Sequence, residues 1–326
     1  MKAGSITQWS DRKTDFASCL VFFHFSGRIS WCRYVGIDFS IMWTNDTEIQ
    51  FFKSALKEFA APEQLFYHLS KGYFAYVPKG SNTEGQTLQS RNSLIGNFTE
   101  KWAKDLFAPI AKKHGLFAVN GVECEEIGLT KKSEADLAFC TTDKKIQKPD
   151  QIRLIFEIKM SVVSNYCYEN KNIKLVGDHT THKGIPSLLR SDSMLKAIGK
   201  AINIRVSGLA ASTIPIVVLG NSPISKGYEH KVDFLKHAGV IQSFLSLSSQ
   251  PIGTKQTQQS KHLGFQTVPD VKTLQKITDD VLASDANYFS SMMPKSRLGK
   301  IISIANEEKT DVAKAEKFLS LIRSIK

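Results

Sequence analysis

The chain has 326 residues, of which 42% are apolar and 23% charged, a balance that excludes a disordered, fibrous or collagen-like protein. Its longest apolar stretch near the start, residues 16–25, is interrupted by His24 and falls short of the roughly 18 residues that span a bilayer, so we expect no membrane segment. The net charge of +12 favours a polyanionic partner, nucleic acid first, although positive charge also serves solubility.

The cysteines are odd in number and include no CxxC pair: Cys19, Cys32, Cys124, Cys140 and Cys167. This pattern argues against a disulfide framework and against a zinc ribbon. No small-residue cleavage site follows the apolar stretch, so a secretion signal is not expected either. We therefore expect a cytoplasmic protein.

The N-terminal part divides into two regions. Residues 1–41 crowd aromatic and cysteine side chains without a helical or alternating period, whereas Met42 opens a cleaner amphipathic stretch. We expect translation to begin at Met42, with residues 1–41 as a weakly structured extension. Residues 42–92 are predicted to form an N-terminal helical region that ends in a polar loop over 79–93.

Residues 93–247 carry the clearest pattern of elements. The predicted order is a helix from Ser93 to about Lys113, strands over 116–119, 137–140 and 152–158, a helix from about Ser187 to Val206, and a buried strand over 214–219. The three consecutive strands predict an antiparallel meander. Residues 248–262 are polar enough for a linker or exposed loop, and 248–326 are predicted as a helical C-terminal region, with helices over 270–290 and 307–325.

Three charged residues at strand ends carry the candidate chemistry. Glu157 and Lys159 are two positions apart on a predicted strand and so share a face, and Asp136 begins the neighbouring strand. Two carboxylates suit a magnesium ion, which prefers oxygen ligands, and an adjacent lysine can orient a water or stabilise an anionic transition state. A lone Glu-x-Lys is more often a solvated surface pair, but the spacing to Asp136, the element order and the basic second helix favour phosphodiester hydrolysis.

This combination resembles the PD-(D/E)XK nuclease superfamily, and more narrowly the type II restriction endonucleases, over about residues 93–222. Asp136, Glu157 and Lys159 match the motif, although Ala135 stands where the motif has proline. The resemblance implies a restriction-endonuclease-like core of mixed α/β class, with a central mixed sheet flanked by helices. It also implies Mg²⁺ as cofactor, the backbone carbonyl of Ile158 as a further metal ligand, and a catalytic Glu100 on the preceding helix.

Two neighbouring glutamates leave alternatives open. Glu100 could instead face solvent and pair with Lys104, four residues later on the same helix. Glu134, two residues before Asp136, is expected to be a rim residue.

A predicted loop over 171–183 follows the catalytic strand, and this loop and the start of the next helix are rich in side chains that bind phosphates or base edges. The predicted DNA-binding residues are Asn172, Lys174, His179, His182, Lys183, Arg190, Lys196 and Lys200. A zinc site of Cys167, His179 and His182 is a weaker alternative, because it has poor spacing and only three members. A polar surface loop without a role is the remaining alternative.

The function expected from these features is a magnesium-dependent type II restriction endonuclease that cuts double-stranded DNA as a homodimer. A cognate DNA methyltransferase would be its genomic partner. Two alternatives remain: a structure-selective repair or recombination nuclease, and a non-catalytic DNA-binding module on a nuclease-like scaffold. Residues 220–227 have no second glycine before Lys226, as a phosphate-binding P-loop requires, so nucleotide-driven chemistry is not supported.

Overall fold

The computed structural model describes residues 42–58, 60–83, 88–247, 258–289 and 293–324. The predicted extension over 1–41 and most of the predicted linker lie outside these residues. Within them, no helix is both long enough and apolar enough to cross a membrane.

The α-helices flank the sheets and follow the amphipathic patterns of the sequence. They are α1 (Asn45–Glu58), α2 (Pro62–Leu65), α3 (Gln89–Lys113), α4 (Ser191–Ser207), α5 (Glu229–His237), α6 (Val271–Ala283), α7 (Lys295–Ala305) and α8 (Asp311–Arg323). Helix α3 begins four residues before its predicted start. The segment before α4, predicted as helix from Ser187, is a short 3-10 turn over Ser187–Leu189.

The main sheet is mixed and has six strands, so the predicted mixed α/β class is confirmed. The strands are β3 (Phe117–Val122), β4 (Ala135–Cys140), β5 (Ile152–Lys159), β8 (Ile216–Gly220), β9 (Ser243–Ser246) and β10 (Phe265–Thr267), in the spatial order β10-β9-β8-β5-β4-β3. Strands β3, β4 and β5 form the predicted antiparallel meander, and β8 and β9 continue the sheet in parallel. Every residue of β8 is buried, as expected for a parallel strand covered on both faces.

The two faces of the main sheet pack against different helices. On one face, Phe107 of α3 contacts Phe139 and Phe156 of the meander. On the other face, alternate strand residues such as Ile155 belong to the same apolar cluster as Ala197 of α4. Because Glu157 is two positions from Ile155, it points to the face that α4 covers.

A second sheet was not predicted. Its strands are β1 (Tyr67–Leu69), β2 (Gly72–Phe74), β6 (Asn165–Glu169) and β7 (Asn172–Gly177), which pair in this order. The N-terminal region is therefore not purely helical, and half of the segment predicted as a loop over 171–183 is a strand. The reason is that β1 and β2 have three residues each, too few to show an alternating pattern.

The C-terminal region also departs from its prediction, because it is not purely helical. Strand β10 extends the main sheet by pairing in parallel with β9. The helix predicted over 270–290 ends at Ala283, and α7 was missed between the two predicted helices.

Candidate active site

The strand register brings the predicted acids together. Strands β4 and β5 pair so that Leu137 lies opposite Phe156, which places Asp136 beside Glu157 at the adjacent position. The backbone amide of Ile158 donates a 2.8 Å hydrogen bond to Oδ2 of Asp136, so the aspartate side chain is fixed against β5. The glutamate side chain is only 5% exposed.

Lys159 closes the predicted triad. Its Nζ donates to Oδ2 of Asp136 at 3.3 Å and also to Oε1 of Glu157. It donates further to the backbone carbonyl of Ile158 at 3.2 Å. The three predicted metal ligands and the predicted catalytic lysine therefore meet at the end of β5. They are Asp136, Glu157, the carbonyl of Ile158, and Lys159.

A second lysine, from helix α4, contacts the same two carboxylates. Nζ of Lys200, on α4, lies 3.0 Å from Oδ1 of Asp136 and 2.6 Å from Oε2 of Glu157. The sequence placed Lys200 among phosphate-binding residues, and its position in the carboxylate cluster was missed. It reaches the cluster because α4 covers the sheet face to which Glu157 points.

The charges of the cluster shift one another's protonation. Burial raises the pKa of Glu157, and the nearby Asp136 carboxylate raises it further. Burial also acts to raise the pKa of Asp136, but Lys159 and Lys200 outweigh it and the net pKa is lowered. Burial acts to lower the pKa of both lysines, yet the two carboxylates hold each pKa above its usual value, so both stay protonated at neutral pH.

Two hydrogen-bonded side chains fix the surrounding backbone. The amide of Asn120 donates to the backbone carbonyl of Asp136 at 2.8 Å and to that of Glu100 at 3.0 Å, which ties β4 to α3. Ser187 Oγ donates to the carbonyl of Lys159, which ties the turn before α4 to the end of β5. Asn120 and Ser187 were not predicted, because neither stands at a sequence spacing from the acids that belongs to a known motif.

The donor set fits a magnesium ion. Asp136 and Glu157 supply carboxylate oxygens, and the carbonyl of Ile158 supplies a third oxygen within the same cluster. Although Oε2 of Glu157 lies 2.6 Å from Lys200, this buried atom has no hydrogen bond of good geometry. No group of three or more Asp, Glu, His or Cys side chains suited to a metal occurs in the described residues. Two carboxylates and one carbonyl suit a hard cation whose remaining ligands are water and substrate oxygens.

The two neighbouring glutamates differ in position. Glu100 is partly buried, and burial together with the Asp136 carboxylate raises its pKa to about 7. Lys159 and Lys200 are the cations that act on it most strongly, rather than the Lys104 of the alternative prediction. Glu134 forms an ion pair of 2.6 Å with the exposed Lys145, as befits a rim residue.

A cleft of about 730 Å³ opens beside the cluster at Lys159. Its charged lining residues are Arg91, Lys159, Lys183, Arg190, Lys196 and Asp192, five of them basic. Arg91 is buried and donates to the backbone carbonyls of Leu65 and Ala75, so it serves the fold. The other basic side chains give the cleft an excess of positive charge next to the acids.

Most of the predicted DNA-binding residues are accessible. Asn172, Lys174, Lys183 and Lys196 are exposed, and His179 is partly buried. Lys174 forms a largely solvent-exposed ion pair with Glu169 at 3.3 Å, which is a weak restraint.

Arg190 is held by a neighbour. Its guanidinium donates two hydrogen bonds to the carboxylate of Asp192, at 2.9 and 2.7 Å. To read a base edge, Arg190 would have to leave this bidentate pair.

His182, predicted as a DNA-binding residue, is instead buried within the fold. Its ring is 1% exposed, stacks on Tyr76 with a centroid distance of 4.0 Å, and bonds through Nε2 to the carbonyl of Val163. Burial lowers the pKa of His182 below its usual value. For the alternative zinc site, no metal-binding group that includes Cys167, His179 and His182 occurs among the residues that the structure describes.

The fold and the site together define a mixed α/β protein with a carboxylate and lysine cluster at its central strands. Comparison with known proteins adds no relative, since no family model, no curated protein and no solved structure matches the chain.

Proposed function

We propose that the protein is a magnesium-dependent endonuclease of the type II restriction class, acting on double-stranded DNA. The observation that carries this proposal is the meeting of Asp136, Glu157 and Lys159 at the ends of β4 and β5, beside a basic cleft. The order of α3, the meander, α4 and β8 supports the restriction-endonuclease-like core that the sequence resemblance implied.

Each residue has a role that follows from its contacts. Asp136, Glu157 and the carbonyl of Ile158 would hold the metal, which when bound supplies a more acidic water and neutralises phosphodiester charge. Lys159 keeps its ammonium at the acids and stabilises negative charge that develops on the phosphate. Glu100 contributes a carboxyl whose pKa near 7 suits proton transfer at neutral pH.

The DNA partner is supported by charge. The chain carries a net charge of +12, and the cleft beside the acids is lined by Lys183, Arg190 and Lys196. Such side chains bind phosphates and release counterions, a contribution that does not depend on sequence. A cytoplasmic homodimer is part of the proposal, because a palindromic site is matched by two-fold symmetry, and a DNA methyltransferase would protect the host genome.

The test is digestion of a plasmid of known sequence with the parent protein, with Asp136→Asn and with Glu134→Gln. Glu134→Gln is the control, because Glu134 lies two residues before Asp136 in the chain but pairs with Lys145 outside the cluster. We expect discrete fragments with Mg²⁺ from the parent and the control, and no cutting by Asp136→Asn or with EDTA. A smear of fragments, or cutting confined to branched DNA, would contradict a restriction enzyme and favour a repair or recombination nuclease. Equal cutting by all three proteins would refute the site.

One observation favours a second candidate, a non-catalytic DNA-binding module. The two carboxylates are already paired with two ammonium groups, as in a structural network that needs no metal. In that case the parent protein would bind duplex DNA but leave the plasmid intact under every divalent cation tried.

A further inference from the structure

The two lysines of the cluster share the four carboxylate oxygens in a regular way. Lys159 contacts Oδ2 of Asp136 and Oε1 of Glu157, whereas Lys200 contacts Oδ1 and Oε2 of the same residues. The ammonium groups therefore balance the two negative charges in a site whose side chains are at most 20% exposed. Buried carboxylates without such compensation would be expensive.

The two lysines are not equivalent, because they are held differently. Lys159 belongs to β5 itself and has a third acceptor, the carbonyl of Ile158. The contacts of the Lys200 ammonium in the described residues are the two carboxylates alone. Lys200 also comes from α4, at the end of a long flexible side chain, so it can withdraw without disturbing the sheet.

A divalent cation bound by the same two acids would meet Lys200 directly. Two ammonium groups and a divalent ion would place four positive charges against two negative ones, and like charges at these separations repel strongly away from bulk water. The Oε2 atom of Glu157 has the Lys200 ammonium nearby but no hydrogen bond of good geometry. It is therefore the oxygen at which a metal ion would most readily replace the ammonium.

We propose that Lys200 occupies the cation position of this site and competes with the divalent metal for Asp136 and Glu157. Lys200 would thus hold the two carboxylates in place while the metal is absent, and its positive charge would reduce the affinity for the metal. This inference rests on the proposed function, since it takes the acids to be metal ligands.

The experiment titrates Mn²⁺ into the protein without DNA and measures binding by calorimetry. The variants are Lys200→Met and Lys200→Arg, with Lys196→Met as control, since Lys196 is an exposed lysine one turn away on α4. Asp136→Asn serves as the variant without a site. Circular dichroism checks that each variant is folded.

We expect Lys200→Met to bind Mn²⁺ at least about tenfold more tightly than the parent, because one unit of opposing charge is removed. Lys200→Arg, which keeps the charge, and Lys196→Met should match the parent, and Asp136→Asn should bind no ion at the site. Equal or weaker binding by folded Lys200→Met would overturn the competition while leaving the metal site standing. Absence of binding in both the parent and Lys200→Met would refute the metal site and the competition together.

Discussion

Two buried glutamates of this protein are stabilised in different ways. Glu48 of α1 is 1% exposed and accepts hydrogen bonds from Trp43 Nε1 at 3.0 Å and from the backbone amides of Val163 and Ser164 at 2.8 and 3.1 Å. Glu157 is almost as deeply buried, but its partners are the ammonium groups of two lysines.

The difference is that Glu48 is held by donors that cannot be replaced, whereas Glu157 is held by cations that can. Backbone amides cannot move away without unfolding their segment, so Glu48 permanently joins α1 to the chain that follows β5. Ammonium groups on long side chains can be replaced by another cation, so the acids around Glu157 remain available for chemistry. This comparison predicts that changes near Glu157 affect activity and changes at Glu48 affect stability.

The largest effect is expected at Lys159. Replacing it by methionine removes the ammonium that contacts both acids, and we expect cleavage to fall at least about 100-fold, as for other groups that stabilise a developing anion. The measurement is the initial rate of plasmid cleavage with Mg²⁺. Lys145→Met, which removes an exposed lysine paired with Glu123 and Glu134, is the control and should cleave normally. If Lys159→Met cleaves at the rate of the parent, Lys159 does not take part in catalysis.

Glu48→Ala should lower the free energy of unfolding by about 3 kcal/mol. The change leaves buried donors at Trp43, Val163 and Ser164 without their acceptor, and each unsatisfied group costs about 1–3 kcal/mol. Urea unfolding followed by circular dichroism measures the effect. A loss below about 0.5 kcal/mol would mean that this carboxylate does not anchor α1.

The stability of the protein should also depend on pH through Glu48. Burial raises its pKa from 4.5 to about 7, so between these values the folded protein holds a proton that the unfolded chain has lost. This contribution to stability is present below about pH 4.5 and is lost as the pH rises through about 7, by up to about 3 kcal/mol.

The matching variant is Glu48→Gln, which cannot ionise. Its unfolding free energy, relative to that of the parent, should improve between pH 5 and pH 8. An identical pH profile for the two proteins would show that Glu48 does not titrate in this range.

The smallest effect concerns the cleft. Lys196 lines it without touching the acids, so Lys196→Ala should weaken binding to all duplex sequences alike and reduce the salt dependence of the binding constant by about one counterion. Binding is measured over a series of salt concentrations on the Asp136→Asn background, for which we expect no cleavage. If the slope does not change, Lys196 does not contact phosphate.

The sequence predicted the meander and its acids because these signals are local. Glu157 and Lys159 are two positions apart on one strand, and strands β4 and β5 are apolar runs separated by a polar turn. Their meeting with Asp136 follows from antiparallel pairing of neighbours in the chain.

The rest depended on contacts between distant residues. Lys200 lies on a helix with other basic residues, and only the packing of α4 on the sheet selects it for the acids. Nothing in the sequence near His182 indicates that its ring stacks on Tyr76, which lies far earlier in the chain. No local pattern in the sequence distinguishes Glu48, since its acceptor role depends on amides that follow β5.

We propose that the acids around Glu157 perform catalysis, whereas Glu48 serves the fold. To test this, the rate of Mg²⁺-dependent plasmid cleavage is compared between Glu157→Gln and Glu48→Gln at equal concentrations of folded protein. We predict a loss of at least about 100-fold for Glu157→Gln and a rate within about threefold of the parent for Glu48→Gln. Parental cleavage by Glu157→Gln, or an equal loss in both variants, would contradict the claim.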